Sequence, residues 1–100
     1  MRTRWRGKKL ACIERRTDKL RQIVAELIRE GVTPRHSLYA NKVHQIACGR
    51  FGVTVKTAKD YTKILGLAWE RYRWINWVRE NPYLSEAERK EWIEKNSRQR

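Results

Sequence analysis

Residues 43–65, VHQIACGRFGVTVKTAKDYTKIL, restrict the possible folds of this chain more than any other stretch. Val43, Ile46, Ala47 and Phe51 recur at the spacing of one helix face, which predicts an amphipathic helix. Gly52 interrupts it, and glycine takes the left-handed conformation just past a helix end without steric cost. Val53 follows as an apolar plug. Thr54 is placed to cap a second helix, its hydroxyl accepting from the N–H of Lys56 or Thr57. That helix is expected to run to about Leu65, with Ala58, Tyr61 and Leu65 on one face. Two short helices joined this tightly must pack against each other.

Within the stretch, Cys48-Gly49-Arg50-Phe51-Gly52-Val53-Thr54 resembles the small, x, x, bulky, Gly, Val, Ser/Thr signature of helix-turn-helix DNA-binding domains. In that pattern the small residue lets the helices approach closely, and Phe51, Val53, Ala58 and Tyr61 fill the space between them. Ala is the commoner small residue. Ala47 stands one place too early here, so Cys48 takes the position. The resemblance covers about a fifth of the chain. It implies a helix-turn-helix or winged-helix-like fold whose second helix reads a DNA groove through Thr54, Val55, Lys56, Thr57, Lys59 and Lys63. Lys56 or Lys59 would donate to guanine O6 and N7, and the Val55 methyls would meet a thymine methyl. Asp60 shares this face and is expected to pair with Lys56 or Lys63 one turn away. Arg35, Lys42 and Arg50 would hold the phosphate backbone on either side. The same sequence also suits two core helices with a glycine turn and no ligand, so charge has to separate the readings.

The chain carries 24 Lys and Arg against 11 Asp and Glu, a formal charge of +13 on 100 residues. An excess of that size favours a polyanionic partner: duplex DNA first, ribosomal RNA second, and an anionic membrane last. Seven bases against Glu14 alone crowd the first sixteen residues. Residues 1–9, MRTRWRGKK, are too charged to pack and read as an extended basic arm. Arg2, Arg4, Arg6, Lys8 and Lys9 would then reach phosphates or a narrow minor groove.

The remaining segments give an all-α or mostly α domain with extra C-terminal helices. Leu10, Ile13, Thr17, Leu20, Val24 and Leu27 predict a helix over 10–30, with Thr17-Asp18 as an alternative start, ended by Gly31. Ser37 is expected to cap the helix that runs to Phe51. Residues 66–80 hold Trp69, Tyr72, Trp74 and Trp77. They read as a helix apolar on two sides, with the wing of a winged helix as the alternative. Trp69 and Tyr72 are expected in the core rather than stacked on unpaired bases. Ser85-Glu86-Ala87-Glu88 is a capping box that opens a last helix to about Asn96. The organisation expected is a basic arm at 1–9, a helix-turn-helix domain at 10–80, and a C-terminal helix with a basic tail at 81–100.

Catalysis finds little support. His36, His44, Cys12 and Cys48 are the soft ligands, and the His44/Cys48 pair on one helix face is too few for a zinc site. No metal, cofactor or catalytic residue is expected, and the thiols read as reduced. No apolar run reaches membrane-spanning length and no signal peptide is visible, so the expected setting is cytoplasmic, at the nucleoid or ribosome. The lead function is non-catalytic duplex DNA binding as a transcriptional or chromosomal regulator. The alternative is structural rRNA binding through the arm and aromatics, with a homodimer or ribonucleoprotein neighbours as further partners.

Overall fold

The computed structural model describes the backbone from Arg2 to Ser97 and side chains from Arg15 to Asn96. Five helices follow in order: α1 (Arg2–Arg29), α2 (Tyr39–Phe51), α3 (Val55–Glu70), α4 (Trp74–Arg79) and α5 (Glu86–Ser97). No strand occurs among the described residues, so 66–80 forms helix and turn rather than a wing. None of the described helices is long and apolar enough to cross a membrane.

α1 corrects one expectation. The helix is continuous from Arg2, so the backbone of residues 2–9 is helical rather than an extended arm, and Thr17-Asp18 starts nothing new. The basic side chains at 2–9 lie outside the described residues. At 28 residues α1 is about 42 Å long, close to the 49 Å long axis of the molecule. Among the described side chains its buried stripe is Leu20, Ile23, Val24 and Leu27, at alternating spacing; Leu10 and Ile13, expected on the same face, lie outside them. Gly31 ends it at φ 72°, with the N–H groups of Gly31 and Val32 donating to the carbonyls of Ile28 and Leu27.

α2 and α3 form the predicted pair. Gly52 closes α2 at φ 62°, its N–H donating to the Ala47 carbonyl, which Val53 N–H also reaches at 3.3 Å. Thr54 then caps α3, accepting from Thr57 N–H at 3.2 Å. Val43, Ala47, Ala58, Tyr61 and Leu65 are buried together, with Cys48, Phe51 and Val53 packed half-buried around them. Ser37 does not cap α2. The α2 start is Leu38, whose N–H donates instead to Nδ1 of His36 at 3.1 Å. Tyr39 is buried beside it, and its hydroxyl donates to the Thr62 carbonyl at 2.8 Å. Burial pushes that phenol far above its ordinary pKa, so it stays a neutral donor.

Two further departures lie after Leu65. Gly66 does not end α3, which continues to Glu70 before breaking at Arg71–Arg73. The break folds α4 back, so Trp74 reaches Trp69 edge to face at 5.7 Å rather than lying opposite it. Tyr72 is 75% exposed, contrary to the core position expected of it. Trp74 and Val78 of α4 are buried, while Trp69, Trp77, Trp92 and Ile93 pack half-buried on the core.

Polar contacts fasten the C-terminal part to α1. Asn81 is fully buried, donating through Nδ2 to the Arg21 carbonyl at 2.7 Å and accepting from Tyr83 N–H at 2.9 Å. The capping box forms as expected: Ser85 N–H donates to Glu88 at 2.9 Å and Glu88 N–H to Ser85 Oγ at 3.1 Å. The same Glu88 carboxylate receives Arg29 Nε at 2.9 Å.

Because nothing stands within 4 Å of where a Gly52 Cβ would lie, a side chain there costs backbone strain alone. Gly52→Ala is expected to lower unfolding stability in urea by about 1–2 kcal/mol, and Gly52→Asn by less. Glu88 carries a pH signature. Its bond from Arg29, then those from Ser85, hold its pKa at about 2 against an ordinary 4.5. A depressed carboxylate stabilises the fold above the unfolded value and loses that contribution as pH falls through the folded one. The stability gap between wild type and Glu88→Gln should therefore be full above pH 4.5 and shrink toward pH 2 in acid titrations followed by circular dichroism.

Candidate nucleic-acid interface

The turn at Gly52 and the buried stripe of α3 decide where the α3 lysines go. Ala58, Tyr61, Leu65 and Ala68 face the core, so Lys56, Lys59 and Lys63 fall on the opposite side, exposed. Val55 is 57% exposed at the first turn, an apolar side chain left in solvent. Thr54 is exposed too, with its oxygen engaged in the cap and 3.0 Å from Thr57 Oγ1. The first turn of α3 therefore offers one apolar and two hydroxyl groups beside a lysine stripe, at the positive end of the helix dipole.

Asp60 departs from the expected pairing. It makes no ion pair with Lys56 or Lys63; instead it lines a cleft of about 420 Å³ with Thr57 and Tyr61 of α3 and Arg15, Arg16 and Lys19 of α1. α1 thus lays three cations along the first half of α3. The sequence reading missed these as site residues. Their spacing, with Arg15, Arg16 and Lys19 within about one turn of α1, was the available signal, but only the packing shows which helix they meet.

The flanking cations divide. Lys42 pairs with Glu30 at 3.2 Å, and Arg50 pairs with Glu26 while its guanidinium lies 5.8 Å from the Phe51 ring centre. The pairs join α2 to α1 and to the turn just after it at the surface, where such pairs contribute little and leave the cations open to exchange. Arg35 lines a separate cleft with Tyr39, Gly66 and Trp69, which opens on α3 about one turn beyond Lys63. Arg2, Arg4, Arg6, Lys8 and Lys9 lie outside the residues whose side chains are described. Cys48 is a free, half-buried thiol, and no cluster of three His, Cys, Asp or Glu among the described residues is placed to hold a metal.

Comparison with family models, curated protein sequences and solved structures finds no match to this chain.

Thr54 couples the fold to this surface, because its cap sets where α3 begins. Thr54→Ala is expected to cost about 1 kcal/mol in chemical unfolding, with Thr54→Ser near wild type.

Proposed function

We propose that this chain is a non-catalytic nucleic-acid-binding protein that docks the exposed face of α3 into the major groove of duplex DNA. The observation that carries the reading is the cationic surface around the start of α3. Lys56, Lys59 and Lys63 are exposed there, and Arg15, Arg16 and Lys19 stand beside Thr57 and Asp60 across the α1–α3 cleft. In this reading Lys56, Lys59 and Val55 meet base edges, while the α1 cations hold phosphates on one flank. Asp60 then keeps the α1 cations near α3 rather than facing a phosphate. A regulator of transcription or of chromosome structure is the class of protein this surface suits.

One observation favours structural RNA binding as the second reading. α1 is a single helix to Arg2, and a long basic helix reaches into structured RNA as readily as along DNA.

Duplex binding measured across a salt series tests the proposal. With ~6 phosphate contacts, log K against log salt should have a slope near −5. Lys56→Ala combined with Lys59→Ala should weaken duplex binding at least ~tenfold and relax its sequence preference, whereas Arg15→Ala with Lys19→Ala should make the slope shallower by up to about 2. Unchanged affinity in the Lys56→Ala/Lys59→Ala variant would overturn the proposal. A larger loss on deleting residues 1–9, read on structured RNA, would favour the second reading.

A further inference from the structure

A cleft of about 910 Å³ opens where the C-terminal part of α3 meets α4, α5 and the loop before α2; its walls include Tyr39, Trp69, Tyr72, Trp74 and Trp92, with Arg35. Two of its positions break local rules. Gly66 lines the cleft from inside α3, where glycine is less stable than alanine. Its φ is not left-handed, and a Cβ there would meet nothing within 4 Å. Neither packing nor backbone conformation requires glycine, yet its missing methyl leaves helix backbone open on the cleft.

Tyr72 is the second such position. It is held at φ 58°, a region where a bulky side chain is strained and where Gly or Asn would relax the turn. Its ring is 75% exposed beside the cleft. Local compromises gathered on one cavity are what a binding site leaves in a sequence.

The aromatic wall is built to hold its shape. Trp69 packs edge to face with Trp74 at 5.7 Å and with Trp92 at 6.5 Å, which stiffens the wall. Trp74 is 2% exposed, and its indole Nε1 is buried without a hydrogen-bond partner. Charge then selects the occupant. Arg35 lies on the wall, Arg71 and Arg73 are exposed on either side of Tyr72 in the chain, and Glu70 is the one acid among the lining residues. An aromatic wall that carries an arginine suits a planar base and its phosphate better than a cationic ligand.

We propose that this cleft takes an unpaired nucleobase of a single-stranded or locally opened nucleic acid, stacked against Tyr72 on the aromatic wall with a phosphate on Arg35. Glu70 is the acceptor available to an exocyclic amine of the base. The proposal shares the nucleic acid of the preceding reading but needs none of the α3 lysines.

Fluorescence anisotropy with a mixed-sequence single strand of about ten nucleotides tests it, with tryptophan quenching as a second readout. Gly66→Ala should raise the melting temperature and still weaken single-strand binding, a combination that a purely structural glycine would not give. Tyr72→Ala, at an exposed ring, should weaken it about tenfold and keeps the test open should Gly66→Ala fold poorly. If both folded variants bind the single strand as tightly as wild type, the proposal is overturned. It is equally overturned if a proline-rich peptide, and not the oligonucleotide, quenches the tryptophans. Binding of wild type to a fully paired duplex is measured alongside. Loss of single-strand binding in these variants with no duplex binding in wild type would keep the cleft and remove the α3 reading; the reverse would do the opposite.

Discussion

The left-handed turn at Gly52 is the constraint through which the other elements acquire their positions. Gly52 and Val53 both donate to the Ala47 carbonyl, which closes α2 and reverses the chain within three residues of the start of α3. Ala47 and Ala58 are both fully buried, and side chains that small let the two helix axes come close. Once α3 is seated, its 3.6-residue period leaves no freedom. Ala58, Tyr61 and Leu65 point inward, and Lys56, Lys59 and Lys63 point out because of it. α1 completes the core through Ile23, Val24 and Leu27, and α4 closes it with Trp74 and Val78.

The C-terminal part is held differently. α5 offers Trp92 and Ile93 to the core and little else, so burial of apolar surface does not fix its position alone. Asn81 supplies what is missing. Its amide is wholly buried with a donor bond to α1 and an acceptor bond to Tyr83, and removing either would strand a polar group away from water. The Asp18, Gln22 and Tyr83 contacts and the Arg29–Glu88 pair continue that seam at the surface. The bond to Asp18 is the main cause that raises the Tyr83 phenol above its ordinary pKa.

The local chemistry of the sequence was legible wherever one helix period or one cap decided it. The Gly52 turn, the Thr54 cap and the Ser85/Glu88 box all follow from residues within four positions of each other. The misreadings share a different cause. The helix expected to run to about Leu65 continues through Gly66 and breaks instead at Arg71–Arg73, where no Gly or Pro marks the turn. His36 displaced Ser37 because an imidazole nitrogen reaches the Leu38 N–H across the loop. Lys42 and Arg50 looked free in sequence because Glu30 and Glu26 lie 12 and 24 residues away. The meeting of Arg15, Arg16 and Lys19 with α3 depends on tertiary packing, which no local pattern encodes. The all-helical class was therefore readable, and the membership of the candidate surface only in part.

Two groups among the described cations contrast, and the contrast has a physical consequence. Arg29, Lys42 and Arg50 are each matched to an acid on another element, where they help to hold α1 against α2 and α5. Arg15, Arg16, Lys19, Lys56, Lys59 and Lys63 gather on one side with Asp60 as their near acid, and none meets an acid within ion-pair distance among the described residues. Like charges concentrated in this way repel one another and oppose the compact state, more strongly at low salt. A chain selected for stability alone would intersperse acids there, as it does around Glu26, Glu30 and Glu88. In the proposed reading a polyanion laid across that side would relieve the repulsion, so binding and folding would be linked there and the ligand would stabilise the domain with the logarithm of its concentration over Kd.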